Sequence, residues 1–484
     1  MKIIKTLIPA LAALMILPAC GEAAAPAGNT QQTGAAAETA AETEPEIRFD
    51  GETVNLGIWA MPDVASEAFV EGQNGEIVND AVYSRNLAVE EKLGVTLNVI
   101  QVGPEDFTAV DNVTKSIQAG EALYDVCWMP TIAAAPASVN GYFLDLTKLP
   151  NLDLTARHWS QGVNSEMKIG SGQYLASGSP AISMLRYIYV TVCNNALFSS
   201  YDLDVPLGDV RDGVWTFDRQ SEISRDIYTD LDGNGKNDIN DLYGFAAGAR
   251  TGIDTFWTNC GASLYGRDSA GFYTFEPKTE RYAQAVDAIL NLYYGGPGSF
   301  VLTSSKDNFR GQELPSMFAA GRAMMLITPI YCIETYMRDM QDEFTVIPMA
   351  KLDESQPSYR SYVQDQFTSC FVPVTVTGER TGLAGAFLDI YGAESYDSVF
   401  NAYYENALSY KYMQNAESVE MLRLIVDSVV IDPSCVYSDE GGIKVELRNM
   451  VAKNNNTLVS TIASVESRIT GVLESLNSSF DWLQ

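Results

Sequence analysis

Histidine is nearly missing from this chain: His158 is the only one. A metal centre built from two or more imidazoles is therefore excluded, and a Ser-His-Asp arrangement could form only around that single residue. Basic residues are also scarce, 31 against 62 acids, giving a formal net charge of −31 at neutral pH. Such a chain repels nucleic acid and anionic lipid headgroups, so neither is expected as a partner. The phosphate-binding glycine loop, the Gly-x-Ser-x-Gly nucleophile elbow and the HExxH zinc helix are all absent. Long apolar runs are limited to Leu7–Leu17, shorter than the ~20 residues a helix needs to span a bilayer. The seven cysteines include no CxxC pair, so no zinc-ribbon or thioredoxin-type spacing exists.

What is present begins at the N-terminus. Lys2 and Lys5 precede the apolar run, and Leu17-Pro18-Ala19-Cys20 resembles a bacterial lipobox, although Pro18 departs from the usual small or β-branched residue. In that reading residues 1–19 are a signal peptide, and Cys20 carries a diacylglycerol that anchors the chain to the extracellular face of the cell membrane. Residues 20–47 are Ala, Thr, Glu, Gln and Pro without apolar periodicity, as a flexible tether requires. Cleavage leaves 465 residues (484 − 19) with a charge near −33 (−31 − 2), since the removed segment holds two lysines and no acid. The roughly 435 residues beyond the tether exceed one core and suit two lobes. Six cysteines remain: Cys127, Cys193, Cys260, Cys332, Cys370 and Cys435. Their even number permits disulfides outside the cell, while apolar settings such as Val126-Cys127-Trp128 suit buried free thiols.

Periodicity then gives the layout. Residues 54–59 alternate as a strand, 79–93 carry an apolar helical face closed by Gly94, and 95–100 read as a second strand. A helix near 110–119 and a strand at 124–128 extend this to β-α-β-α-β, the signature of a parallel sheet. The Gly/Ser/Pro-rich stretch 177–182 marks a crossing into a second lobe, which opens with a β-prone run at 185–193. Helices are expected at 282–293 and, as the C-terminal element, at 462–476. Trp59 and Trp128 each follow a predicted strand of the first lobe, and ligands of open α/β sheets bind beyond strand carboxyl ends. Sugar rings stack on such aromatic side chains.

One loop carries a sharp chemical signal. Asp230-Leu-Asp232-Gly-Asn234-Gly235-Lys236-Asn-Asp238-Ile-Asn-Asp241 matches the calcium-loop template at positions 1, 3, 5, 6, 9 and 12. Asp230, Asp232, Asn234, Asp238 and Asp241 would supply side-chain oxygens and Lys236 its backbone carbonyl, with Gly235 making the tight turn. Asp241 stands where a longer Glu is usual. Nothing beside the loop has catalytic character, so a structural Ca²⁺ is expected. By contrast, Arg157-His158-Trp159 reads as a structural histidine beside an indole, and paired acids such as Glu90-Glu91 read as solvated faces.

Met317-Phe318-Ala319-Ala320-Gly321-Arg322-Ala323-Met324-Met325, Phe344-Thr345-Val346-Ile347-Pro348-Met349, Phe371-Val372-Pro373-Val374-Thr375 and the helix 382–391 follow one another in a familiar order. They resemble a segment shared by extracellular solute-binding proteins of the maltose-binding type, the capture subunits of bacterial ABC importers. The similarity continues through 79–95, 215–218 and 417–432. It implies an α/β, two-lobed periplasmic-binding-protein-like (type II) fold with an interlobe ligand cleft and hinge closure. The expected lobes are 48–180 with 318–365, and 181–317 with 366–484. It also implies a non-enzymatic monomer that captures a solute, an oligosaccharide by its aromatics, and delivers it to ABC permease subunits, with the membrane reached through the lipid alone. Asp254, Trp257 and Tyr331 occupy ligand-facing positions in that resemblance. Tyr362 and Asp365, near the return crossing, join Trp59 and Trp128 as ligand candidates. The alternatives are a surface lipoprotein that binds or cleaves glycans, which would need two carboxylates across the cleft, and a calcium-dependent adhesion module, which would need a second loop or a flat aromatic patch.

Overall fold

The computed structural model describes residues 47–277, 280–304, 306–404, 416–438 and 442–480. The signal peptide, Cys20 and nearly all of the tether lie outside the described residues. Among those described, no helix is long and apolar enough to cross a membrane.

Two sheets organise the fold. The first has the order β13-β3-β1-β2, built from β1 (Thr53–Ile58), β2 (Thr96–Gln101), β3 (Val126–Pro130) and β13 (Thr368–Phe371). β1 pairs parallel with both β2 and β3, while β13 runs antiparallel to β3, with Cys370 opposite Trp128. Helix Ile77–Leu93 makes the first crossover. The Glu76 carboxylate accepts from Asn79 N at 2.9 Å, and Gly94 at φ 70° turns the chain out, its N–H donating to Glu90 O. A Cβ at Gly94 would lie 2.1 Å from the Asp50 carboxylate, so space and backbone both demand glycine. The β-α-β-α-β expectation holds here, with strand ends shifted by one or two residues.

The second sheet has the order β11-β4-β10-β6-β5, with β9 also paired to β6. Its strands are β4 (Tyr189–Asn194), β5 (Tyr228–Thr229), β6 (Leu242–Gly248), β9 (Ser299–Leu302), β10 (Ala323–Pro329) and β11 (Phe344–Ile347). β10 lies parallel to β6, and β4 runs antiparallel to both β10 and β11. Every residue of β3, β4 and β10 is buried, as strands covered on both faces require. Two small pairings complete the set: β7 (Tyr265–Arg267) with β8 (Tyr273–Phe275), and β12 (Ser361–Tyr362) with β14 (Val429–Val430).

This pairing corrects two expectations. Residues 318–365 were expected in the first lobe, yet β10 and β11 bond to β4 and β6 of the second sheet. Residues 366–484 were expected in the second, yet β13 returns to the first sheet and helix Glu379–Glu394 packs on Ile77–Leu93. Helix Ala416–Asp427 then packs on β11. Local motifs do not encode which distant strand completes their ladder. A third difference is local: 185–193 is not one strand. Ile182–Arg186 is a helical turn, and its Ser183 N–H donates to the Glu67 carboxylate at 2.6 Å. A carboxylate 116 residues away thus caps it and overrides β propensity.

The six described cysteines are buried and free, which decides between the two readings of the sequence. Burial pushes thiols such as Cys332 and Cys370 up to about 12, so they pack as small apolar groups.

Candidate functional site

β6 and β10 end at Gly248 and Pro329, and antiparallel β4 starts beside them, with Tyr189 opposite Pro329. The first sheet approaches through β3: after Pro130, Thr131 N donates to Phe367 O and Ile132 N to Asp365 O, both at 2.9 Å. Polar and aromatic side chains gather along these strand ends, in two groups.

The first group is charged and deep. Asp254 pairs with Arg448, whose Nε lies 2.8 Å from Oδ1. Lys444 Nζ lies 3.2 Å from Asp365 and donates to Cys435 O at 2.8 Å. Burial raises the Asp254 pKa, with Arg448 opposing. Burial alone would lower Lys444, but Asp365, Cys435 and Asp254 together more than reverse it, so the ammonium stays charged. Asp307 accepts from Arg250 N at 2.5 Å, and burial lifts it to about 6. A Cβ on Gly248 would meet its carboxylate at 2.2 Å, so only glycine lets Asp307 approach. The pocket beside it, next to Tyr189 and Thr328, holds about 20 Å³, the size of one water.

The second group joins the lobes. Asp63 comes from helix Pro62–Ala68; Arg186, Tyr187, Arg310, Tyr331 and Glu334 come from the segments around β4 and β10. Arg310 donates to Tyr187 Oη at 2.5 Å and lies 3.7 Å from Asp63 Oδ2. Its guanidinium sits 4.5 Å from the Phe309 centroid, 5.2 Å from Tyr187 and 5.8 Å from Tyr331. Arg186 donates to Glu334 at 3.0 Å and to Asp63 O at 2.9 Å, and lies 5.0 Å from the Tyr331 ring. Tyr403 donates to Glu334, whose pKa is nevertheless raised by burial. Arg310 Nε and Asp63 Oδ2 have no protein hydrogen-bond partner. A buried donor and a buried acceptor are thus left without hydrogen-bond partners among aromatic rings, beside the Arg310–Asp63 ion pair.

The sequence candidates divide on this geometry. Asp254, Asp365 and Tyr331 lie in the two groups. Tyr362 is fully buried, 6.2 Å from the Tyr189 ring. Trp257 is buried and stacks on Tyr282 at 5.2 Å. Trp59 and Trp128 are only 3 % and 2 % exposed. Their indole N–H groups donate to Pro104 O at 2.8 Å and to Glu67 at 3.2 Å. Both pack inside the first lobe and offer no free face. Arg186, Arg310, Asp307, Lys444 and Arg448 were missed. The available signal was slight: bases are scarce in this chain, but Lys444 and Arg448 lie on helix Ile443–Ala452, remote in sequence from the strand ends they approach.

Glu67 was missed too. Its buried carboxylate accepts from Trp128 Nε1, Ser183 N, Ser183 Oγ and Thr368 Oγ1, tying helix Pro62–Ala68 to both chain crossings. Burial raises its pKa against those four bonds.

The calcium-type loop lies apart from these groups. Oxygens of Asp230, Asp232 and Asp241 lie within 4.8 Å of one another. Asp241 is fully buried and held by Leu231 N at 3.2 Å and Tyr228 Oη at 3.3 Å. Gly235 adopts φ 69°, the turn the template needs. Asn234 Nδ2 donates to both Asp232 and Asp238. Three converging carboxylates repel one another unless a cation joins them, so the donor set fits a hard divalent ion.

The fold is that of type II solute-binding proteins: two α/β lobes joined by repeated crossings. Among solved structures it is similar to the cyclic α-maltosyl-1,6-maltose binding protein of Arthrobacter globiformis (TM-score 0.56, 14 % identity, 87 % of this chain and 99 % of that one). It is also similar to the galacto-N-biose-/lacto-N-biose I-binding protein of the ABC transporter from Bifidobacterium longum, in complex with lacto-N-biose (TM-score 0.52, 10 % identity, 90 % and 99 %). UgpB from Mycobacterium tuberculosis, in complex with glycerophosphocholine, matches as well (TM-score 0.52, 13 % identity, 83 % and 97 %). No protein-family profile and no curated protein sequence matches the chain.

Proposed function

We propose that this chain is the lipid-anchored, extracellular capture subunit of a bacterial ABC importer, and that its solute is an oligosaccharide. The carrying observation is the interlobe group around Arg310 and Asp63. It leaves a buried donor and a buried acceptor without hydrogen-bond partners beside the rings of Tyr187 and Tyr331, with one member from each lobe. Neighbours titled as sugar-binding proteins support the carbohydrate reading, and the lipobox with its tether supports the anchor. The solute enters between the lobes, closure completes its hydrogen bonds, and the closed form docks on the permease. No bond is made or broken. Asp230, Asp232, Asn234, Lys236, Asp238 and Asp241 hold a structural Ca²⁺ that stiffens the approach to β6.

The test is isothermal titration of the protein without residues 1–47 against mono- and oligosaccharides, paired with product analysis of each mixture. Saturable binding without new products supports the reading. Release of shorter sugars would replace it with glycan cleavage, and binding of glycerophosphodiesters or peptides alone would overturn the carbohydrate assignment.

A further inference from the structure

Part of the interlobe group is satisfied without a solute. Glu334 Oε2 accepts from Arg186 Nε at 3.0 Å, and Glu334 Oε1 accepts from Tyr403 Oη. Arg186 Nη1 donates to Asp63 O at 2.9 Å. The Glu334 side chain is 10 % exposed and Tyr403 is 4 % exposed. Both carboxylate oxygens are thus taken by this chain's own donors, unlike Arg310 Nε and Asp63 Oδ2.

The two ends of the Tyr403–Glu334 bond belong to different lobes. Tyr403 lies in the helical run 395–404 that continues helix Glu379–Glu394. That run packs on helix Ile77–Leu93 of the first lobe, where Arg85 Nη1 donates to Ser395 Oγ at 2.7 Å. Glu334 lies on helix Ile330–Tyr336, which follows β10 directly and packs on helix Glu313–Ala319 of the second lobe. Arg186 belongs to neither body. It ends the crossing turn Ile182–Arg186, which touches both helix Pro62–Ala68 and helix Ile330–Tyr336.

Rotation of one lobe against the other acts unequally on these bonds. A hydrogen bond fails once its heavy atoms separate beyond ~3.5 Å. Tyr403 moves with the first lobe and Glu334 with the second, so a hinge rotation breaks their bond. Arg186 sits in the crossing, where displacement is smallest, and keeps Glu334 paired in either state. Opening therefore costs one hydrogen bond to a charged group and leaves no buried carboxylate unpaired, which would be far more costly.

We infer that Tyr403 and Glu334 form a latch between the lobes that holds the described orientation, with Arg186 as the fixed counter-ion that makes its release reversible. The latch acts with or without a solute.

The test is double electron–electron resonance between nitroxides at Glu91→Cys on the first lobe and Asp226→Cys on the second, in the protein without residues 1–47. Both sites are exposed, whereas the six cysteines of the described chain are buried and take no label. No solute is added, so the result does not depend on whether a sugar binds. The parent should populate the distance of the described form and a second one. Tyr403→Phe removes only the hydroxyl and should move the ratio of the two on the order of tenfold toward the second. Glu334→Gln keeps an acceptor for Tyr403 but loses the charge, and should move the ratio the same way by less; it decides the matter if Tyr403→Phe does not fold. A ratio that is unchanged or moves the other way overturns the latch, as does a parent that lacks the distance of the described form. A lower melting temperature with an unchanged ratio marks the bond as purely structural and overturns it too.

Discussion

Arg310 concentrates the solute-binding proposal in one side chain. Three aromatic rings and Tyr187 Oη hold its guanidinium, leaving Nε free beside Asp63. Arg310→Gln should weaken the solute tenfold or more in calorimetric titration, about 1.4 kcal/mol, measured at a temperature where the variant is folded. Asp307 makes a different prediction. Its carboxyl rises from 3.8 to about 6 on folding, so between these values the folded state binds the proton that the unfolded chain has lost. Its contribution to stability is therefore highest below pH 4 and falls as pH rises toward 6, a loss on the order of 3 kcal/mol. Denaturant melts from pH 4 to 7 should show Asp307→Asn with a flatter decline than the parent; parallel profiles would refute the assignment. The same scale explains Trp59 and Trp128. Strand-end position marked them as ligand aromatics, but their burial and satisfied N–H groups make them packing residues.

Elements show how distant residues reshape local preference. The turn Ile182–Arg186 exists where the sequence reads as strand because Glu67 caps it and also holds Thr368 and Trp128. Glu67→Ala leaves several buried donors unmet and should cost about 3 kcal/mol or more in chemical denaturation. A cost below about 1 kcal/mol would mean that water replaces the carboxylate without loss. The loop 230–241 was legible at once, since its chemistry is local: six template positions within twelve residues and a glycine at φ 69°. If it holds Ca²⁺ with a dissociation constant of ~0.1 mM, 1 mM Ca²⁺ should stabilise the protein by ~1.4 kcal/mol. Asp230→Asn should abolish the difference between calcium and chelator melts. An equal melting temperature for the parent in both would remove the ion from the proposal.

For the whole molecule, the relevant variable is the relation between two lobes joined by several chain crossings. Residues Ala181–Tyr187 carry the first crossing and Tyr362–Thr368 the second, and Gln364 N donates to Tyr187 O at 3.1 Å between them. A solute that bridges Asp63 and the Arg310 side should favour a closed form, lowering the radius of gyration in small-angle scattering. Sugars that do not bind by calorimetry should leave it unchanged. A bound solute with no change in radius would mean that the described form is already closed.

Periodicity, glycine positions and the calcium-type spacing are properties of neighbouring residues, so the amino-acid sequence by itself determined the opening β-α-β-α-β order, the C-terminal helix and the metal-type loop. The order of family-like motifs pointed to two lobes for the same reason. Tertiary structure alone decided that β10 and β11 join the second sheet and that β13 returns to the first, because ladder pairing is a hydrogen-bond choice between strands far apart in sequence. It alone brought Asp63 to Arg310 and Asp254 to Arg448. Asp254 was marked in the sequence only as a ligand candidate and the other three not at all; their pairing appears only when burial removes water and leaves one partner within reach.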